Sequence, residues 1–156
     1  MSQPSTANTQ APDSLTALLV PLSDRTLLLP NVAVAELIPF RPQPGQDTSG
    51  WFLGQVAWRD LSLPLLSFEA ASGGQAETGS RARVAVLNAL GGRGHVKFIA
   101  LLVQGIPRSV KVDASLARAD VPLAPLELEA VNLGDIQARI PDLVALEQKL
   151  ADAGLI

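Results

Sequence analysis

Apolar residues along this chain fall in short blocks separated by polar or Pro/Gly breaks, and the clearest pattern runs from Trp51 to Phe68. Two apolar arms, Phe52 to Trp58 and Leu61 to Phe68, are interrupted only by Arg59-Asp60. This spacing predicts a β-hairpin that holds one arginine at its tip. Side-chain alternation places Phe52, Gly54, Val56 and Trp58 on one face and Leu53, Gln55, Ala57 and Arg59 on the other. Both faces are largely apolar, so the strand needs cover on both sides, as in a closed barrel or a sheet between two layers. Pro64 has no amide proton to donate, which points to an edge or a bulge in the second arm. Neither Arg59 nor Asp60 takes positive φ without cost, which favours a turn looser than two residues.

The remaining blocks extend the same reading. Leu15 to Pro21 and Thr26 to Leu29 predict strands around the polar turn Ser23-Asp24-Arg25, followed by an apolar segment, Val32 to Ile38, with one charge at Glu36. Arg83 to Leu90 and Lys97 to Gly105 predict strands joined by a glycine-rich loop, and Arg108 to Val112 a further strand. Val131 to Leu133 and Ile136 to Ile140 flank Gly134-Asp135, a hairpin signal. Leu143, Leu146 and Leu150 recur on one helical face, with Pro141 suited to a first turn, Asp142 to its positive end and Gly154 to its stop. Residues 1–13 are polar with nothing to bury and are expected to form a disordered tail. Pro39 to Gly50 reads as a surface loop, 69–80 as a flexible connection between two β layers, and 113–129 as an irregular connection.

Composition narrows the function. The 156 residues carry 47% apolar residues but no Tyr, four Phe and two Trp, so the core is aliphatic and the stacking platforms of single-strand nucleic-acid binders are missing. A net charge of −3 without long runs of one sign argues against nucleic acid and anionic membranes as partners. No cysteine is present, which excludes disulfides, thiolate metal sites and cysteine nucleophiles. With no basic-then-apolar leader and no apolar run of spanning length, the cytoplasm is the expected location.

Candidate chemistry is sparse. His95 is the single histidine, set in a Gly-rich turn, so neither a histidine metal pair nor a triad is expected. Asp47-Thr48-Ser49-Gly50 matches the aspartic-protease triplet only loosely, and Gly91-Gly92-Arg93-Gly94 lacks the Gly-Lys-Ser/Thr ending of a phosphate loop. Glu127 and Glu129 share one strand face and read as a solvated pair, while Arg81, Arg83, Arg93 and Lys97 would form a weak basic patch if their hairpin pairs them. The expectation is therefore no enzyme, no cofactor and no metal, and a β-rich protein-binding module.

At the central hairpin, Gly54 through Arg59-Asp60 to the Pro64-containing arm resembles the CheW-like family, the adaptor domain of bacterial chemosensory arrays. That family has Gly, apolar residues, Arg-Gly, then an apolar run with Pro and Asp-Leu. Val34-Ala35-Glu36-Leu37 stands at its Val-x-Glu-Ile position, Val84 to Asn88 at its Val-Val-x-Leu-Asn strand and Val103-Gln104-Gly105-Ile106 at its Val-Asp-x-Val strand end. Asp60, Ser67 and Gln104 depart from the pattern, replacing a glycine and two aspartates. The stretches 27–37 and 104–108 are similar to the ChpC-type branch, which serves type IV pilus chemosensory systems.

The resemblance implies an all-β (mainly) fold: two five-stranded SH3-like β-barrels with a short C-terminal α-helix, in one domain over 14–152. It implies an adaptor without catalytic activity that joins the cytoplasmic tip of a methyl-accepting chemoreceptor to the regulatory domain of a CheA-type histidine kinase. A receptor helix would lie in the groove between the barrels. By position, Val34, Glu36, Gly54, Arg59 and Ile106 match residues on or near that groove. Glu36 and Arg59 are lone charges in apolar surroundings, which predicts that they pair across the groove; Asp60 and solvent are the competing partners for Arg59. The alternative reading is a small β-barrel that binds nucleic acid or a ligand through Arg83, Arg93 and Lys97.

Overall fold

The computed structural model describes residues 14–41 and 50–156. The expected tail over 1–13, and the Asp47 to Ser49 part of the protease-like triplet, lie outside the described residues. In chain order the elements are β1 (Ser14–Pro21), β2 (Thr26–Pro30), a 3-10 turn (Asn31–Ala33), β3 (Val34–Pro39), β4 (Phe52–Trp58) and β5 (Leu61–Leu66). They continue with α1 (Phe68–Ala71), β6 (Arg83–Asn88), β7 (Phe98–Val103), β8 (Arg108–Asp113), β9 (Ala117–Arg118), β10 (Glu127–Leu133), β11 (Ile136–Pro141) and α2 (Leu143–Asp152).

The strands form two sheets, ordered β8-β1-β2-β11-β10-β9 and β3-β6-β7-β5-β4. One sheet has the five strands expected; the other gains a sixth because two residues, Ala117 and Arg118, pair with Asn132 and Val131. The chain crosses between sheets after Pro30 and again after Val103. The stretch 69–80, whose composition suggested a link between layers, joins β5 to β6 of the same sheet, and its first turn is the short helix α1. Ser67 caps that helix by accepting a hydrogen bond from the Ala70 N–H, the service an aspartate at this position would also provide.

Alternation explains why the strands are apolar on both faces. On β7, Ile99, Leu101 and Val103 enter a central cluster, whereas Ala100 and Leu102 enter a second cluster inside the five-stranded sheet. β6 divides the same way, with Ala85 and Leu87 central and Val84 and Val86 inside. In the other sheet, Leu27 and Leu29 are central while Leu28 joins Ala17, Leu19, Val131 and Ala138 in a third cluster. Each sheet thus wraps its own core and presents its other face to a core shared by both. Leu143, Leu146 and Leu150 of α2 complete the shared core, each nearly sealed from solvent. Pro141 ends β11 rather than starting the helix, and Asp142 is the N-cap, accepting from the Ala145 N–H at 3.0 Å. At the other end Gly154 at φ +74 allows its N–H to reach the Ala151 carbonyl and the Leu155 N–H that of Leu150, a Schellman stop.

One parity expectation fails, for a local reason. A register shift between Phe52 and Gly54 breaks the alternation of β4, with Gly54 at φ +108. Leu53 consequently joins Val56 and Trp58 on the inner face, while Phe52 packs on the shared core.

Three carboxylates are buried, and the sequence did not single them out for it. Glu127, read as half of a solvated pair, has a side chain only 2% exposed and accepts from Arg25 at 2.8 Å and Arg139 at 2.7 Å. A bulge between Glu127 and Glu129 takes the two acids off a common alternation. The Arg25 guanidinium is pushed above its ordinary value, chiefly by its hydrogen bonds to Asp24, with Glu127 adding to the effect. Glu69 accepts from the N–H and hydroxyl of Ser23 and from the Ser67 hydroxyl. Glu147 of α2 receives the N–H groups of Leu90 and Gly91, which ties the glycine-rich loop to the helix. A Cβ on Gly91 would stand 2.5 Å from the Arg93 guanidinium and 2.6 Å from the Glu147 carboxylate, so a larger residue there would force those side-chain ends to shift.

Candidate functional site

The five-stranded sheet ends in two edge strands, β3 and β4, and these flank a cavity of about 510 Å³. Its walls include Ile38, Phe40, Val56 and Trp58, and charged Glu36, Arg41 and Arg59 also line it. Side chains rather than a ladder of backbone bonds bridge the two edges at one end.

The bridge centres on one carboxylate oxygen. Glu36 Oε1 accepts from Arg59 Nη2 at 3.0 Å and from Trp58 Nε1 at 3.2 Å. The Arg59 guanidinium also lies over the Trp58 ring, 4.6 Å from its centroid. Trp58 itself is buried, its ring meeting Phe98 edge-on with centroids 4.7 Å apart. A fixed indole therefore holds one face of an arginine whose side chain remains 68% exposed. Asp60 makes no hydrogen bond or ion pair with it among the described residues. The predicted Glu36–Arg59 pair forms, but between two strands of one sheet rather than across the groove between the two sheets.

The turn that aims Arg59 is tighter than expected. Trp58 pairs directly with Leu61, leaving a two-residue loop with φ +47 at Arg59 and φ +65 at Asp60. Positive φ at both central residues is the signature of a type I′ turn, whose twist matches the flanking strands. Strand pairing outweighs the strain of placing two non-glycine residues there.

The other residues carried over by resemblance fall at several places. Val34 opens β3 and packs against the shared core, two residues before Glu36. Gly54 forms the bulge in β4. Ile106, 63% exposed, lies in the turn between β7 and β8. Val34 pairs with Leu87, and the ladder runs from there to the far end, where Pro39, Arg83 and Val103 meet. Ile106 follows Val103 and so lies beyond the end opposite Val34, Glu36 and Arg59. Sequence reasoning did not assign Trp58 a role; its signal was a tryptophan directly preceding the arginine of the tip.

The rival basic patch does not assemble. Register places Arg83 beside Val103, while Arg93 and Lys97 sit in the loop at the other end of the β6–β7 hairpin, and Arg93 is engaged with Glu147 and Gln148. Among the described residues no group of His, Asp and Glu side chains is arranged to hold a metal, and no helix is long and apolar enough to cross a membrane.

A comparison with curated proteins finds no match. The fold is similar to the crystal structure of the scaffolding protein TtCheW from Thermoanaerobacter tengcongensis, with a TM-score of 0.65 at 15% identity over 83% of this chain and 84% of that one. A comparison with protein families matches residues 16–149 to the CheW-like domain. With its two apolar-cored sheets, the closing helix and this match over most of its length, the chain belongs to the CheW-like domain family.

Proposed function

We propose that this chain is a non-enzymatic chemosensory adaptor that joins chemoreceptor tips to the regulatory domain of a CheA-type histidine kinase in the cytoplasm. Residues 14–152 act as one domain, without cofactor or metal, and Val34, Glu36, Gly54, Arg59 and Ile106 are its contact residues. The ChpC-like stretches 27–37 and 104–108 favour a system that controls type IV pili and twitching motility.

The observation that carries this reading is the clamped guanidinium of Arg59. Glu36 and the Trp58 ring fix its direction while most of its surface stays open to a partner. An arginine ordered in advance loses little side-chain freedom on binding, and such residues recur as interface anchors. Holding a receptor and a kinase at fixed spacing lets a receptor change bias the kinase equilibrium. The nucleic-acid alternative loses its surface, because Arg83 is separated from Arg93 and Lys97 along the hairpin.

Pull-down against a receptor-tip helical bundle and, separately, against a CheA-type regulatory domain tests the proposal. Retention by both is the expected result; retention by neither would leave the fold without this function.

A further inference from the structure

The two edges of the five-stranded sheet face each other without joining. β3 pairs with β6 and β4 with β5, and each edge carries a bulge, between Val34 and Glu36 and between Phe52 and Gly54. The cleft between them bottoms on Leu65 and Val84, both buried in the sheet's own core, so it opens straight onto apolar atoms. One wall is a bare strand edge. Gln55 stands opposite Pro64, which has no N–H to exchange, so the two form a non-hydrogen-bonded pair. The backbone N–H and C=O of Gln55 therefore point away from β5, toward β3. Alternation aims those of Ala57 the same way, and both exposed residues line the cavity. No described strand pairs with this edge. The charged residues of the lining are Glu36, Arg41 and Arg59, an excess of one cation, and Arg59 reaches Glu36 through Nη2 alone.

We propose that this edge docks an extended acidic protein segment, which adds a strand to β4, turns alternate apolar side chains into the cleft and sets a carboxylate against Arg59. In strand addition the main-chain bonds supply affinity and the alternate side chains specificity. Shape excludes other occupants. A helix is about 10–12 Å across and its backbone is already bonded internally, so it can neither enter the cleft nor use the open donors. A second copy of this chain, or any folded sheet, would bring further strands behind its own edge, where β3 already stands. A single free strand needs only one strand spacing, about 4.8 Å, beside β4. The segment shares Arg59 with the adaptor reading but does not rest on it, because a helical receptor tip has no strand to add.

The test titrates the full chain with a fluorescent peptide, Glu-Val-Thr-Val-Glu with blocked ends, and follows amide hydrogen exchange by NMR. Saturable binding is expected, with exchange at Gln55 and Ala57 slowed about tenfold or more. The same peptide N-methylated at every residue binds about tenfold more weakly, and so does one with lysines in place of the glutamates. Ala57→Pro removes one donor from the open edge while leaving the β4–β5 ladder intact, and weakens binding about fivefold. Arg59→Gln weakens it by about as much through the lost charge. Arg118→Ala, in the other sheet, leaves it unchanged. Absence of binding, equal binding of the N-methylated or lysine peptide, or unslowed exchange at the two amides would each overturn the proposal. So would protection of those amides before peptide is added, which assigns the edge to the chain itself, or a concentration-dependent dimer that the peptide dissolves, which assigns it to a second copy. Circular dichroism checks the fold of each variant, and the peptide comparisons decide the matter on the unaltered chain.

Discussion

Glu36 and Arg59, twenty-three residues apart in sequence, meet at 3.0 Å through the same carboxylate oxygen that accepts the Trp58 indole proton. With side chains 40% and 68% exposed, the ion pair itself contributes at most about 1 kcal/mol to stability. Its consequence is directional: it fixes where a cation points on a two-residue turn.

Trp58→Phe keeps an aromatic ring beside Phe98 but removes the indole donor and part of the ring's volume. The expected outcome is a fold weakened by about 1–3 kcal/mol in urea denaturation, the lost hydrogen bond and the cavity together. Affinity for a receptor-tip bundle falls several-fold, because Glu36 loses the indole bond that orients its carboxylate and Arg59 lies over a smaller ring. Unchanged receptor affinity would remove Trp58 from the positioning role.

Asp60→Gly addresses the strained turn. Glycine takes φ +65 freely, and the variant is expected to be more stable by up to about 1 kcal/mol, since the relieved left-handed strain exceeds glycine's added unfolded-state entropy. Asp60→Val, β-branched at the same φ, should lose more than about 1 kcal/mol. Denaturant midpoints of the two variants on either side of the parent value would confirm the ordering.

The Glu127 cluster joins parts of the chain 102 residues apart. Glu127→Ala takes from Arg139 its carboxylate partner and from Arg25 one of two, Asp24 remaining, and is expected to destabilise by about 3 kcal/mol, measured by thermal or urea unfolding. Glu129→Ala, two residues on at a half-exposed pair, should change stability by less than about 1 kcal/mol. The contrast separates two acids that look alike in sequence.

Asp113 ends β8 with its carboxylate accepting from the hydroxyl and the N–H of Ser115, and these bonds, the hydroxyl foremost, hold it below the usual aspartate range. A depressed folded value means that the stabilisation is present above the unfolded value and is lost as pH falls through the folded one. Carbon-detected NMR titration should show Asp113 titrating low, with Ser115→Ala moving it back toward the ordinary range.

Much of the fold could be read from alternation. Val84 to Leu87 of β6 and every position of β7 are apolar because each strand faces two cores, and the Leu143, Leu146 and Leu150 spacing marked the helix α2. The lone charges of the apolar segment and of the hairpin tip marked the pair that now lines the cavity. What escaped the sequence depends on contacts that no local window contains. Glu127 looks solvated until Arg25 arrives from the far end of the chain. Leu53 changes sides because a glycine bulge inserts one residue into the register. Arg83, Arg93 and Lys97 lie close in sequence yet are parted by the length of a hairpin. The tight turn at Arg59-Asp60 was hidden because strand twist, a tertiary demand, overrode local backbone preference.

The central claim is that this chain bridges two partners at once, and size-exclusion chromatography of a receptor-tip bundle mixed with a CheA-type regulatory domain tests it directly. Adding the chain should bring all three into one peak, and Arg59→Ala should release the receptor while the kinase domain stays bound. Elution of the two partners apart in its presence, or a common peak that forms equally well without it, would contradict the account.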